Sequence, residues 1–136
     1  MANRVIGESG RPVRWAHHPA EVVAVLKACG IRPRSKQCHA NSQRFLQAAE
    51  ELRPRLEYRE GLVRSQRGTL FEHAWLTLDG EILDLTLDSR QHEYVASYAI
   101  EFEEVAKHLA ALGSHQLIGR DRLKALWAKE AANGQA

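Results

Sequence analysis

The hydrophobic pattern changes period twice along the chain. Val22, Val25, Leu26 and Cys29 recur at three- and four-residue spacing, the repeat of one helical face. The spacing predicts a helix from Pro19, a good first-turn residue, to a stop at Gly30, with Cys29 as a small buried hydrophobe near its end. Pro33 bars helix across IRPR. A second helix is predicted over SKQCHANSQRFLQAAEELR, with Ser35 as its N-cap and Pro54 closing it. Ala40, Phe45, Leu46, Ala48, Ala49 and Leu52 form its buried stripe. Cys38 then falls in the first turn, about three residues past the cap.

The period next drops to two. LEYREGLV, residues 56–63, reads as a strand with Leu56 and Tyr58 on one face and Gly61 at a bulge. After the loop SQRGTL, apolar and polar residues alternate from Phe71 to Asp88 on both sides of Asp79-Gly80, the dipeptide suited to a two-residue type I′ turn. With those two residues in the turn, Leu78 faces Glu81, Trp75 faces Asp84 and His73 faces Thr86. His73, Trp75, Asp84 and Thr86 then project from one side of the hairpin, and Ala74, Leu76, Leu78, Leu83 and Leu85 from the other. YVASYAI, residues 94–100, reads as a fourth strand. Helical spacing returns over 101–112, stopped by Gly113, and over 121–131, capped by Asp121. Helices, then strands, then helices predict an α+β fold: an antiparallel sheet of about four strands, covered on one side by the N-terminal and C-terminal helices.

A length of 136 residues suits one domain, 1–136, with an irregular segment at 1–14 and a flexible polar tail at 132–136. The net charge of +2 gives no reason to expect nucleic acid. Arg53, Arg55, Arg59, Arg64 and Arg67 gather in one stretch, read as a solvated edge rather than a patch for anionic substrates. No segment approaches the ~20 apolar residues of a membrane span, and no signal-peptide run is visible. A cytoplasmic protein with no membrane partner is expected. Cys29 and Cys38 match no zinc or haem spacing and are expected as reduced thiols. Oligomeric state leaves no trace in the sequence.

On the polar side of the hairpin, His73 and Asp84 are diagonal neighbours about 5–8 Å apart at Cβ, close enough for a carboxylate to orient an imidazole. Cys38 is the nucleophile such a pair requires. A helix start favours thiolate over thiol, and its exposed amides can hold a developing oxyanion. His73 would act as general base toward Cys38 and then as general acid toward the leaving group. Around them, Asn41 lies one turn beyond Cys38 and either touches a neighbouring strand or makes a plain helix-face contact. Gln37 is an oxyanion donor or an exposed first-turn residue. Trp75 roofs the pair or packs in the core. Glu60 is a reserve acid, and Glu72 faces away. A zinc site from Cys38, His39 and His73 is disfavoured, because adjacent Cys and His at a helix start are expected to point apart. No metal or cofactor is expected.

The segment from Gln37 to Leu87 resembles the transglutaminase-like and papain-like cysteine enzymes. QCHAN matches their cysteine opening a helix, EHAW their histidine strand, and EILDLT the paired strand whose aspartate follows apolar residues. It is especially similar to compact bacterial and phage proteins with a C-x-x-N helix start and an HAW…D hairpin, and more distantly to lasso-peptide leader peptidases. The resemblance covers about 50 of 136 residues. It departs from papain in that no Gly or Trp flanks the cysteine. It implies a papain-like or transglutaminase-like core with Cys38, His73 and Asp84 as functional residues and Asn41 as the asparagine of C-x-x-N. The implied activity is cysteine-dependent acyl transfer on an amide bond, by a peptidase, amidase or transglutaminase-like transferase. Its substrate would be a peptide, a protein or a small amide. The alternative is a non-catalytic peptide- or protein-binding module on the same scaffold.

Overall fold

The computed structural model describes residues 18–134, so the irregular segment expected at 1–14 lies outside the described residues. The first helical stripe forms α1 (Ala20–Ala28), with Val22 and Leu26 fully buried. Helical geometry stops at Ala28. Cys29 therefore turns out to solvent as the C-cap instead of filling the core. The next helix, α2 (Cys38–Ala48), begins on Cys38 itself. Lys36, at φ 66°, breaks the helical path, so Gln37 rather than Ser35 is the N-cap.

The same helix stops at Ala48, short of the predicted end, and Leu52 and Pro54 belong to the turns that follow. Arg53 accounts for the early stop. Its guanidinium donates to the otherwise unpaired carbonyls of Leu46 (3.1 Å) and Gln47 (2.5 Å) and lies 3.9 Å from the centre of the Phe102 ring. Arg53→Ala is expected to lower stability by about 1–2 kcal/mol, the worth of a charge-assisted helix cap plus a surface cation–π contact. A urea midpoint that drops at unchanged slope would record it.

The strands β1 (Leu56–Arg64), β2 (Leu70–Leu78), β3 (Glu81–Leu83) and β4 (Glu93–Ile100) form one antiparallel sheet in the order β3-β2-β1-β4. Asp79 (φ 54°) and Gly80 (φ 84°) make the expected turn, and Leu78 faces Glu81. The ladder ends at Leu76 opposite Leu83. Beyond it, Asp84 Oδ1 accepts the backbone N–H groups of Thr86 (2.8 Å) and Leu87 (2.9 Å), which turns the chain out of the ladder. The expected Trp75–Asp84 and His73–Thr86 pairings are therefore absent. Two helices follow, α3 (Phe102–Leu112) and α4 (Arg120–Gly134). Asp121 lies inside the first turn of α4 and does not cap it, since the Gly119 carbonyl already accepts from Arg122 and Leu123. The tail expected to begin at 132 is helical to Gly134, in keeping with the strong helix formers of AKEAA.

The architecture is thus α+β, with the four helices against one face of the sheet. Tyr58, Ala74, Leu76 and Leu78 on that face pack with Val22 and Leu26 of α1, Phe45, Leu46 and Ala49 of α2, and Val105 of α3. Of the gathered arginines, Arg53, Arg55, Arg59 and Arg64 have partners within the fold. Arg55 joins Asp79 to Glu21, Arg59 holds Glu57 and Ser97, and Arg64 pairs with Glu93. No described helix is long and apolar enough to cross a membrane.

One irregularity decides what stands on the opposite face. Leu62 pairs with Ala96 but Val63 pairs with Tyr94, so Val95 is an extra residue in β4. The bulge is beside Gly61, not at it. Gly61 is required because a Cβ there would collide with the Ala96 carbonyl oxygen and with Ser97. An extra residue reverses side-chain parity. Tyr94 consequently shares the face of Val63, His73 and Trp75 instead of following Ala96 and Tyr98. The chain must also cross the sheet to travel from β3 at one edge to β4 at the other. Contacts of Asp84 with His73 and Tyr94, and of His92 with Phe71, put this crossing on the His73 face, which it covers.

Candidate active site

Cys38 is the first residue of α2, half-buried, with Gln37 behind it and the orphan amides of the first helical turn around it. The body of α2 packs on the apolar face of the sheet, against β2 above all. Its first turn is tied elsewhere. Asn41 donates to Thr86 Oγ1 (2.8 Å) and to the Arg34 carbonyl (2.8 Å), and accepts from the Arg34 amide (3.1 Å). The first of these bonds fixes the start of α2 to the turn after Asp84, beside the stretch of β2 that β3 leaves unpaired. His73 stands on that stretch, near enough to Cys38 for its imidazole to pull the thiol pKa down.

The His73 ring is held from behind. Its Nε2 lies 2.8 Å from Asp84 Oδ2, and the Tyr94 hydroxyl donates to the same oxygen at 2.6 Å. With the amides of Thr86 and Leu87 on Oδ1, every face of the Asp84 carboxylate is engaged while the residue is only 2% exposed. Burial pushes the Asp84 carboxyl up, but the bonds from His73, Tyr94 and Leu87 outweigh it and hold the group below the usual carboxylate range. An ionised carboxylate only accepts, so Nε2 carries hydrogen and Nδ1 is the nitrogen left to serve Cys38.

The charges on the couple follow. Burial pushes the Cys38 thiol up, while hydrogen bonding and charge from His39 and then His73 bring it down to about 6. Burial pushes the His73 imidazole down, while Asp84 and then Cys38 raise it to about 10. The lowered thiol and the raised imidazole together favour the thiolate–imidazolium form of the pair.

Trp75 is 2% exposed and stacks on the His73 ring at 6.0 Å, with Tyr94 edge-on to it at 5.0 Å. It roofs the histidine and is buried as core at the same time. Its indole Nε1 is buried and meets no acceptor among the described residues. Gln37 is buried as the N-cap, not an exposed first-turn residue, and with Asn41, Arg34 and Arg44 it lines a cavity of about 510 Å³ along the start of α2.

Sequence reasoning missed two partners and undervalued a third. His39 was expected to point away from Cys38, yet its Nδ1 lies 3.6 Å from Cys38 Sγ. Glu60, the reserve acid, is 1% exposed and sits 4.0 Å from His39 Nε2. Tyr94 carried no signal, because its side was set by the Val95 bulge. Among the described residues no group of three or more His, Cys, Asp and Glu could hold a metal ion. Neither a protein-family model, nor a curated protein, nor a solved structure matches the chain.

Proposed function

We propose that this protein is a cysteine-dependent acyl-transfer enzyme acting on amide bonds of peptides, proteins or small amides in the cytoplasm, on a papain-like or transglutaminase-like core. The supporting observation is the buried His73–Asp84 contact of 2.8 Å beside a half-buried cysteine at a helix start. The Cys38 thiolate attacks the substrate carbonyl, and the carbonyl electron pair moves onto oxygen, facing the first-turn amides of α2. His73 gives its proton to the leaving nitrogen as the C–N bond breaks, which leaves a thioester and a neutral imidazole. That imidazole takes a proton from water or an amine as it attacks. The C–S bond then breaks, and thiolate and imidazolium are restored. Asp84 keeps its proton inventory unchanged and holds the ring.

A second reading, a peptide- or protein-binding module without turnover, draws on the 5% exposure of His73 and 2% exposure of Trp75, which leave little room for substrate to reach the imidazole. An activated ester such as p-nitrophenyl acetate separates the two. The enzyme reading predicts an acetyl group on Cys38 in the intact mass, lost with time and absent from Cys38→Ala. Acetylation confined to lysines or Cys29, and equal in Cys38→Ala, would leave the binding module as the better account.

A further inference from the structure

Glu60 is a charged side chain in the middle of the central strand, on the face that carries the helices, and it is 1% exposed. A carboxylate so placed persists only where its oxygens are well bonded. It accepts from the Tyr58 hydroxyl (2.5 Å) and from the amides of Leu117 (2.9 Å) and Ile118 (2.7 Å). Gln43 braces the arrangement by donating to Tyr58 Oη (2.8 Å) and to the His115 carbonyl (2.6 Å). These bonds anchor the segment between α3 and α4 and hold the acid in place beside His39. Oε2 lies 4.0 Å from His39 Nε2, and the far side of that ring, Nδ1, lies 3.6 Å from Cys38 Sγ. Two histidine–carboxylate couples therefore converge on one sulfur from two different strands: His39–Glu60 through β1, and His73–Asp84 through β2.

We infer that His39, facing Glu60, is a second histidine of the catalytic site, which takes the Cys38 proton when the thiolate is first formed, while His73 retains its own proton for the leaving group. The inference rests on the acyl-transfer reading above. A ring whose two nitrogens both carry hydrogen accepts nothing, and Asp84 with Tyr94 favours that form of His73. Forming the thiolate in the first place then needs another base, since turnover itself returns the sulfur as thiolate. His39 with hydrogen on Nε2, facing Glu60, presents a lone pair at Nδ1 to the sulfur. Transfer breaks S–H and forms Nδ1–H, giving thiolate and imidazolium with no change of oxidation state. The titratable groups facing His39 are Cys38 on its own helix, Glu60 on β1 and His73 on β2, with Tyr58 behind Glu60. Burial pushes the His39 imidazole down, Cys38 and Glu60 raise it, His73 opposes them, and the outcome is a raised value.

The test is the pH dependence of Cys38 alkylation by iodoacetamide, followed on the Cys38 peptide by mass spectrometry, with exposed Cys29 as the internal reference. Two active-site histidines predict a midpoint near 6 in the unsubstituted protein. His39→Ala and His39→Gln should each raise it by about one unit or more, and Glu60→Gln by less. His73→Ala alone should leave the midpoint below the ~8.5 of a free thiol while cutting turnover about 10²–10⁴-fold. The double variant should return it to that value. His39→Gln and Glu60→Gln keep side-chain volume, so the outcome stays readable if His39→Ala fails to fold. A midpoint unmoved by both His39 variants, with His73→Ala alone restoring an ordinary thiol, overturns the second histidine and leaves the acyl-transfer site standing. A midpoint of about 8.5 in the unsubstituted protein removes the acyl-transfer reading itself, and this inference with it.

Discussion

Asp84→Ala is expected to lower stability by about 3–5 kcal/mol and to abolish acyl transfer. The carboxylate accepts four hydrogen bonds, from His73, Tyr94, Thr86 and Leu87. Alanine leaves all four donors facing a void, and a buried donor without an acceptor loses about 1–3 kcal/mol, part of which relaxation recovers. The turn at 84–87 should open with it, because Asp84 Oδ1 alone gathers its two amides. Against the ~5–15 kcal/mol that holds a domain together, this is the most damaging single change in the site. Asp84→Asn separates the structural from the chemical part. Its amide oxygen can still gather Thr86 and Leu87, so stability should fall by less than half as much. Its NH2 group, however, meets His73 Nε2 as a donor and favours the wrong tautomer, so turnover of the activated ester should drop about 10²–10⁴-fold. Chemical denaturation of both variants beside ester turnover of Asp84→Asn checks the pair. Equal turnover in Asp84→Asn and the unsubstituted protein would remove Asp84 from the mechanism.

His73→Ala should reduce turnover by about 10²–10⁴-fold, the usual worth of a positioned acid and base. Asp84 keeps Tyr94 and two amides in this variant, so the loss of stability should stay nearer the ~1–3 kcal/mol of one unsatisfied buried partner than the loss in Asp84→Ala. Alanine also leaves a ring-sized space between the Trp75 indole and Cys38. Added imidazole should therefore recover part of the turnover in His73→Ala and none in Cys38→Ala. A variant that turns over at the full rate would show that the sulfur works without this histidine.

Much of this site was legible in the order of residues, because period-two alternation and an Asp-Gly turn fix which side chains share a face. The apolar and polar sides of the hairpin, with His73 and Trp75 together on the polar one, follow from that alone. What escaped were features set by one residue at a time. Tyr94 reaches Asp84 only because Val95 is extra in β4. Counting by twos along YVASY puts Tyr94 with Ala96 and Tyr98, away from the site. Asp84 leaves the ladder through its own side chain, a competition between carboxylate and backbone that alternation does not register. His39 reaches the sulfur of its own neighbour, which the usual divergence of adjacent helical side chains does not lead one to expect. Serine caps well, but the positive φ of Lys36 takes Ser35 out of that role and starts the helix at Cys38, which puts the sulfur at the positive end of the helix dipole.

The most direct measurement of the central claim is the rate of Cys38 alkylation by iodoacetamide across pH. A thiol titrating near 6, held there by His39 and His73 against burial, is half thiolate at pH 6. A free thiol at ~8.5 has about 0.3% thiolate at that pH, roughly 150-fold less. The weaker nucleophilicity of a low-pKa thiolate returns about 13-fold of this, which leaves an advantage of about 10-fold. The expected result is a midpoint near 6, with Cys38 labelled about 10-fold faster than a free thiol at pH 6. A Cys38 that labels no faster than a free thiol, with a midpoint of about 8.5, would contradict it.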